Sequence, residues 1–99
     1  MVKYNQKFLH GYFLDTILAS PVLELAAVKN PAALVAFGLR LRQLREERGL
    51  SQQRLAYEAD VAKLTVQRIE KGRASVGLDM LVSIAQALQV PLHELARLE

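Results

Sequence analysis

The stretch between Gly49 and Gly72 constrains the fold more than any other part of the sequence. Ser51 is a good N-cap residue for a short helix over 51–59, and a second short helix over 62–71 ends at Gly72. Only a tight connection at residues 60–61 separates them. Two short helices joined so tightly share a buried surface where they cross.

A small residue and an apolar seam are present where such a crossing needs them. Ala56 is the small residue at the crossing. The shared seam consists of Leu55, Val61, Val66 and Ile69. With this seam buried, the opposite face of the helix over 62–71 points outward, and it carries Lys63, Leu64, Gln67 and Arg68.

Three further helices flank this pair. Asn30 can cap a helix that begins at Pro31, where the missing N–H costs nothing, and Gly49 ends it, which predicts a helix over 31–48. A helix over 78–88 follows, and Pro91 opens a last turn or two. The predicted inward residues are Leu34, Phe37, Leu41 and Leu44 in the first helix, Leu78, Leu81, Ile84, Ala85 and Leu88 in the second, and Leu92 and Leu95 in the last. No strand-like alternation occurs in residues 31–99, so we predict five helices and an all-α fold.

The run GLSQQRLAYEADVAKLTVQRIEKG at 49–72 resembles the helix-turn-helix of the Cro/cI-type repressors, also called the Xre family. The similarity extends from about Phe37, through LRQLREERGLSQ, to LVSIAQALQVPLHEL. It implies a five-helix, lambda-repressor-like helix-turn-helix domain over 31–99. It also implies a sequence-specific transcriptional regulator that binds double-stranded DNA, usually as a homodimer on two-fold sites.

The sequence departs from the family pattern at three places. Asp60 stands in the turn where the family usually has glycine. Ala62 replaces a serine or threonine cap at the start of the helix over 62–71. Val76 and Gly77 replace a common proline-serine pair before the helix over 78–88. We expect these departures to alter fine geometry and not the fold.

The outward face of the helix over 62–71 has side chains that suit base recognition. A helix presented in this way can enter the major groove, where glutamine pairs with adenine and arginine or lysine pairs with guanine. Lys63, Gln67 and Arg68 are therefore the predicted base-reading residues. Leu64 can contact a thymine methyl group, although simple exposure explains it almost as well.

Phosphate contacts are expected from residues outside that face. Gln52 lies at the start of the helix over 51–59, where free N–H groups favour an anion, and the resemblance implies the same role. Lys71 and Arg73 follow the helix over 62–71 and can reach the DNA backbone. The resemblance further implies a structural ion pair between Arg45 and Glu70. Arg48 and Arg54 are interpreted as part of a solvated face.

Residues 1–30 lie outside the resemblance and form a predicted N-terminal extension. Its apolar residues Phe8, Leu9, Tyr12, Phe13 and Ile17 share one face of a helix. Three uses stay open: a cover for the core of the same chain, a dimer contact, or capture of a partner such as a toxin. The last would make the protein a DNA-binding antitoxin, which is the alternative function. A scaffold that has lost DNA binding is disfavoured by the three groove-competent side chains.

Other classes of function find little support in the sequence. There is no cysteine, which excludes disulfides and thiol chemistry and fits a cytoplasmic protein. His10 and His93 are far apart, and no phosphate loop, ligand spacing or nucleophile motif accompanies them, so we predict no enzyme, cofactor or metal. His10 and Asp15 interrupt the apolar run near the N-terminus, which argues against a signal peptide or a membrane span. The formal net charge of +3 fits DNA binding without establishing it.

Overall fold

A computed structural model describes residues 29–98, and in this part of the chain every regular element is a helix. The five helices are α1 (Pro31–Glu47), α2 (Gln52–Ala59), α3 (Lys63–Glu70), α4 (Leu78–Leu88) and α5 (Leu92–Leu95). Their order and bounds match the sequence prediction to within about one residue, and the all-α fold is confirmed. The predicted helix in residues 1–30 lies outside the described residues. None of the described helices is long and apolar enough to cross a membrane.

The predicted caps at the starts of α1 and α2 are present. The side-chain oxygen of Asn30 accepts a hydrogen bond from the Ala33 N–H at 3.1 Å. Ser51 Oγ accepts one from the Arg54 N–H at 2.9 Å. Each bond satisfies a backbone donor that the first helical turn leaves unpaired, and so fixes where the helix begins.

Four helices end in the same way, with one residue in the left-handed conformation. These residues are Gly49 (φ 69°), Asp60 (φ 59°), Gly72 (φ 71°) and Gln89 (φ 59°). At the end of α2, the Asp60 N–H bonds to the Tyr57 carbonyl at 3.2 Å and the Val61 N–H bonds to the Ala56 carbonyl at 2.9 Å. This is the Schellman arrangement. The turn between α2 and α3 therefore keeps this geometry with aspartate in the place of glycine.

All five helices contribute to one apolar core. Its fully buried larger side chains are Leu41, Leu55, Val66, Ile69, Ile84, Leu88 and Leu95. The predicted inward residue Leu34 is only half-buried and is not part of this core. Two other predicted inward residues are more exposed: Leu78 is 69% exposed and Leu92 is 36% exposed. Each is the first residue of its helix, and the inward positions are filled one or more turns later. The spacing of the apolar residues predicted which face of each helix is buried, but it did not predict which residue along that face is the first to be buried.

Gly38 allows α1 to lie directly against the end of α3. A Cβ atom at Gly38 would collide with the Ile69 carbonyl oxygen and would lie 2.7 Å from the Glu70 carbonyl oxygen. These are backbone atoms, which cannot swing aside as a flexible side chain does. Glycine at this position therefore sets the distance between α1 and α3.

We predict that Gly38→Ala destabilises the protein by about 1–3 kcal/mol, because overpacking outweighs the gain in helix propensity. Urea unfolding followed by circular dichroism measures the change. Ala36→Gly in the same helix is the control, and it is expected to cost about 1 kcal/mol through propensity alone. An alanine variant at position 38 that is more stable than the parent would refute the close packing of α1 on α3.

Candidate DNA-binding surface

The core holds α3 by one face and leaves its other face open. Val66 and Ile69 are buried against the rest of the domain. Lys63, Leu64 and Arg68 are exposed and Gln67 is half-buried. These four residues, at positions one, two, five and six of the helix, form what we call the outer face of α3. The structure thus brings all four predicted base-reading residues together on one surface.

The start of α3 lacks a side-chain cap. Ala62 occupies the cap position in extended backbone, and no side chain accepts a bond from the first turn. The Ala62 carbonyl accepts from the Thr65 N–H at 3.0 Å. Backbone bonding and burial of Val66 and Ile69 thus hold the helix without the usual serine or threonine.

The lysines and arginines on and beside α3 lack the carboxylate partners that most cations elsewhere in residues 29–98 have. Five arginines form ion pairs with glutamates: Arg40, Arg42, Arg45, Arg54 and Arg97. No carboxylate of residues 29–98 pairs with Lys63, Arg68, Lys71 or Arg73, all of which are exposed. Of the six lysines and arginines in residues 29–98 without an ion pair there, four lie on α3 or within three positions of its end, and the other two are Lys29 and Arg48.

Arg48 and Arg54, which are interpreted from the sequence as part of a solvated face, are exposed. Arg54 pairs with Glu58 at 2.7 Å, and its guanidinium carbon lies 5.7 Å from the centre of the Tyr57 ring. Arg48 Nη2 donates to the Gln89 carbonyl at 3.2 Å, which links the end of α1 to the end of α4. Both residues have partners within the domain itself.

A bidentate ion pair joins Arg45 of α1 to Glu70 of α3. Arg45 Nε donates to Glu70 Oε2 at 2.6 Å, and Nη2 donates to Oε1 at 3.0 Å. The side chains are 10% and 4% exposed. Hydrogen bonding to Glu70 raises the pKa of the Arg45 guanidinium above its ordinary value. Arg45 Nη1 also donates to the Leu50 carbonyl at 2.8 Å, just before the cap of α2.

Gln52, a predicted phosphate contact, belongs to the same network. Its side-chain Nε2 donates to Glu70 Oε1 at 3.0 Å, so Glu70 accepts from both Arg45 and Gln52. The spacing of the sequence gives no signal for this bond, because residues 52 and 70 lie on different helices. The other two predicted phosphate contacts, Lys71 and Arg73, are exposed at the end of α3 next to Glu70.

Sequence reasoning also missed a contact that fixes the last helix. Arg40 Nε donates to the Glu94 carbonyl at 3.0 Å, and Nη2 donates to Glu94 Oε1 at 2.9 Å. This pair holds α5 against α1. Among residues 29–98 there is no group of three histidine, cysteine or acidic side chains that could hold a metal ion.

We predict that Arg45→Met destabilises the domain by about 3–5 kcal/mol, because it leaves the Glu70 carboxylate buried without its cation. The double variant Arg45→Met/Glu70→Leu is expected to recover most of the loss, since both charges are then gone. Urea unfolding measures both. Arg42→Met removes an exposed partner of Glu46 and serves as the control, with an expected change of about 0–1 kcal/mol. Equal losses for the Arg45 and Arg42 variants would contradict the structural role of the buried pair.

Comparison with known proteins agrees with this geometry. Residues 36–98 match the helix-turn-helix domain family. Control protein C.BamHI of Bacillus amyloliquefaciens is 37% identical over 60 residues, which cover 60% of this chain and 74% of that protein. A Pyrococcus furiosus protein named as an HTH-type transcriptional regulatory protein is 40% identical over 80 residues, which cover 80% of this chain. The chain spans only 25% of that relative's length.

A solved structure has the same arrangement of helices. The crystal structure of the restriction-modification controller protein C.AhdI from Aeromonas hydrophila superposes with a TM-score of 0.64 and 41% sequence identity. The match covers 65% of this chain and 97% of that one. With the family match spanning more than half of the sequence, the resemblance to the Cro/cI-type proteins is confirmed, and the chain belongs to the helix-turn-helix domain family.

Proposed function

We propose that this chain is a sequence-specific transcriptional regulator that reads double-stranded DNA with α3 in the major groove. The observation that carries the proposal is the outer face of α3. It is held rigidly by Val66 and Ile69, and its cations have no carboxylate partner in residues 29–98. An exposed cation that the domain itself leaves unpaired is available to an anionic partner.

The side chains of this face support reading of bases as well as attraction to charge. Gln67 can bond to adenine, and Lys63 and Arg68 can bond to guanine. Leu64 is 53% exposed and can contact a thymine methyl group. Lys71 and Arg73, beyond the end of α3, supply contacts to phosphate that carry little sequence information.

The similar proteins favour a regulator over an antitoxin. Those described above are named as controller or transcriptional regulatory proteins. None of those names mentions a toxin. A DNA-binding regulator acts where the genome is, which agrees with the cytoplasmic location expected from the sequence.

Selection from a random duplex library tests the proposal. The full chain is expected to enrich a defined motif, and the variant Lys63→Ala/Gln67→Ala/Arg68→Ala is expected to lose it. The control variant Arg42→Ala/Arg54→Ala also removes two positive charges, but from exposed positions that have glutamate partners. It should enrich the parental motif. If the parent chain enriches nothing, even at low salt where phosphate contacts are strongest, sequence-specific recognition is refuted.

We further propose that the protein binds DNA as a homodimer through the exposed side of α4. Leu78 and Val82 are 69% and 38% exposed and lie one turn apart, on the same side of the helix. Large apolar side chains grouped in this way favour burial against another surface. A two-fold DNA motif would match a dimer with this symmetry.

Sedimentation equilibrium of the full chain tests the dimer, with Val82→Glu as the variant that places a charge in the proposed contact. We expect the variant to dissociate at least tenfold more readily than the parent, because the carboxylate would be desolvated in the contact. Leu39→Glu, at an exposed apolar position on α1, is the control and should leave the association unchanged. A monomeric parent chain, or equal dissociation of both variants, would rule out a dimer through α4.

A further inference from the structure

We propose that Glu70 is a positioning residue for DNA binding, which acts by fixing the side chain of Gln52 against the DNA backbone. The inference rests on the proposed function and extends it to a residue that faces inward. Glu70 itself is 4% exposed and cannot reach DNA. Its effect on binding must therefore pass through a neighbour.

The bond between the two residues leaves part of Gln52 free. Gln52 donates one N–H to Glu70 Oε1 at 3.0 Å. A glutamine amide has a second N–H and a carbonyl oxygen, and within residues 29–98 these form no further hydrogen bond. No buried side-chain nitrogen or oxygen in this region lacks a partner, so the Gln52 carbonyl oxygen, which has none, lies open to solvent. Gln52 as a whole is half-buried. In the proposed contact its second N–H donates to a phosphate oxygen.

The position of Gln52 agrees with such a contact. Glu70 is the last residue of α3, and Lys71 follows it directly. The Arg73 N–H bonds to the Arg68 carbonyl at 2.9 Å, which holds the chain beyond Gly72 close to the helix. The bond to Glu70 therefore brings Gln52 to the end of α3, near Lys71 and Arg73, which have no carboxylate partner in residues 29–98. A DNA backbone that passes the end of α3 would contact the hydrogen-bond donor of Gln52 and the positive charges of Lys71 and Arg73 together.

Fixing the side chain in advance increases affinity for a physical reason. A free glutamine loses rotamer freedom when it contacts a ligand, and this loss opposes binding. Glu70 is itself immobilised by two bonds from Arg45. With Glu70 as its acceptor, Gln52 has already been ordered before DNA arrives.

A double-mutant cycle on the full chain distinguishes positioning from a general structural role. The four proteins are the parent, Gln52→Ala, Glu70→Gln and the double variant, each titrated with the duplex selected above and with a scrambled duplex. Gln52→Ala should weaken binding to both duplexes by a similar factor of about 3–10, because phosphate contacts carry little sequence information. The salt dependence should stay the same, since no charge is removed. Gln53→Ala, a neighbouring exposed glutamine without a side-chain hydrogen bond within residues 29–98, is the control and should stay within about twofold.

Glu70→Gln should weaken binding in the parent and have little further effect once Gln52 is alanine. An equal loss in both backgrounds would show that Glu70 acts only on the fold, and it would overturn the inference. A Gln52→Ala variant that binds as tightly as the parent would overturn it too. If the parent enriches no motif at all, the proposed function fails, and the inference fails with it.

Thermal unfolding of each variant confirms that it is folded at the temperature of the titration. Should Glu70→Gln fail to fold, the Gln52 side-chain amide resonances give a second measurement. In the parent they should shift when duplex is added, and at the same duplex concentration the shift should be smaller in Lys71→Ala/Arg73→Ala, which lacks two of the proposed phosphate contacts. Resonances that do not move in the parent would overturn the contact between Gln52 and the backbone.

Discussion

The ion pair between Arg45 and Glu70 is the interaction on which the geometry of the DNA-binding surface depends. Arg45 bonds to the end of α3 through Glu70 and to the start of α2 through the Leu50 carbonyl. One side chain of α1 therefore sets where the other two helices lie. Buried ion pairs contribute little to stability compared with apolar replacements, but their directional bonds permit fewer arrangements than apolar contacts do. The pair adds directional bonds at the end of α3 to the apolar burial of Val66 and Ile69.

The positions of the glutamates decide which cations of the domain are neutralised. Glutamates pair with the arginines of α1 and α2 and with Arg97 beyond the end of α5, and they neutralise charge away from the outer face of α3. The only acidic residue of α3, Glu70, turns inward. The outer face is thus positive although the chain as a whole has a formal net charge of only +3. For this domain the placement of charge is more informative than its sum.

The sequence predicts local features from the residues themselves. Of the polar side-chain contacts between helices, only the Arg45–Glu70 pair was predicted, and that prediction came from the family resemblance. Asn30, Ser51, Gly49 and Gly72 mark helix ends through bonds within a few residues, so the five helices could be predicted closely. Contacts such as Gln52 with Glu70 depend on how two helices meet, and neither residue carries a local sign of the other. Gly38 did leave a signal, since glycine within a strong helix usually has a packing reason. The reason for the glycine is the backbone of α3 packed against it, which is a tertiary contact.

The two departures from the family pattern near the turn both cost stability, through different physical causes. Asp60 takes the left-handed conformation that glycine adopts with less strain, which costs stability. Ala62 gives up a side-chain cap, a loss of about 1 kcal/mol relative to serine. Neither changes the direction of α3, because that direction is set by the Val61 bond to Ala56, the buried Val66 and Ile69, and the ion pair at the far end. The turn can therefore vary in sequence while the outer face of α3 keeps its position.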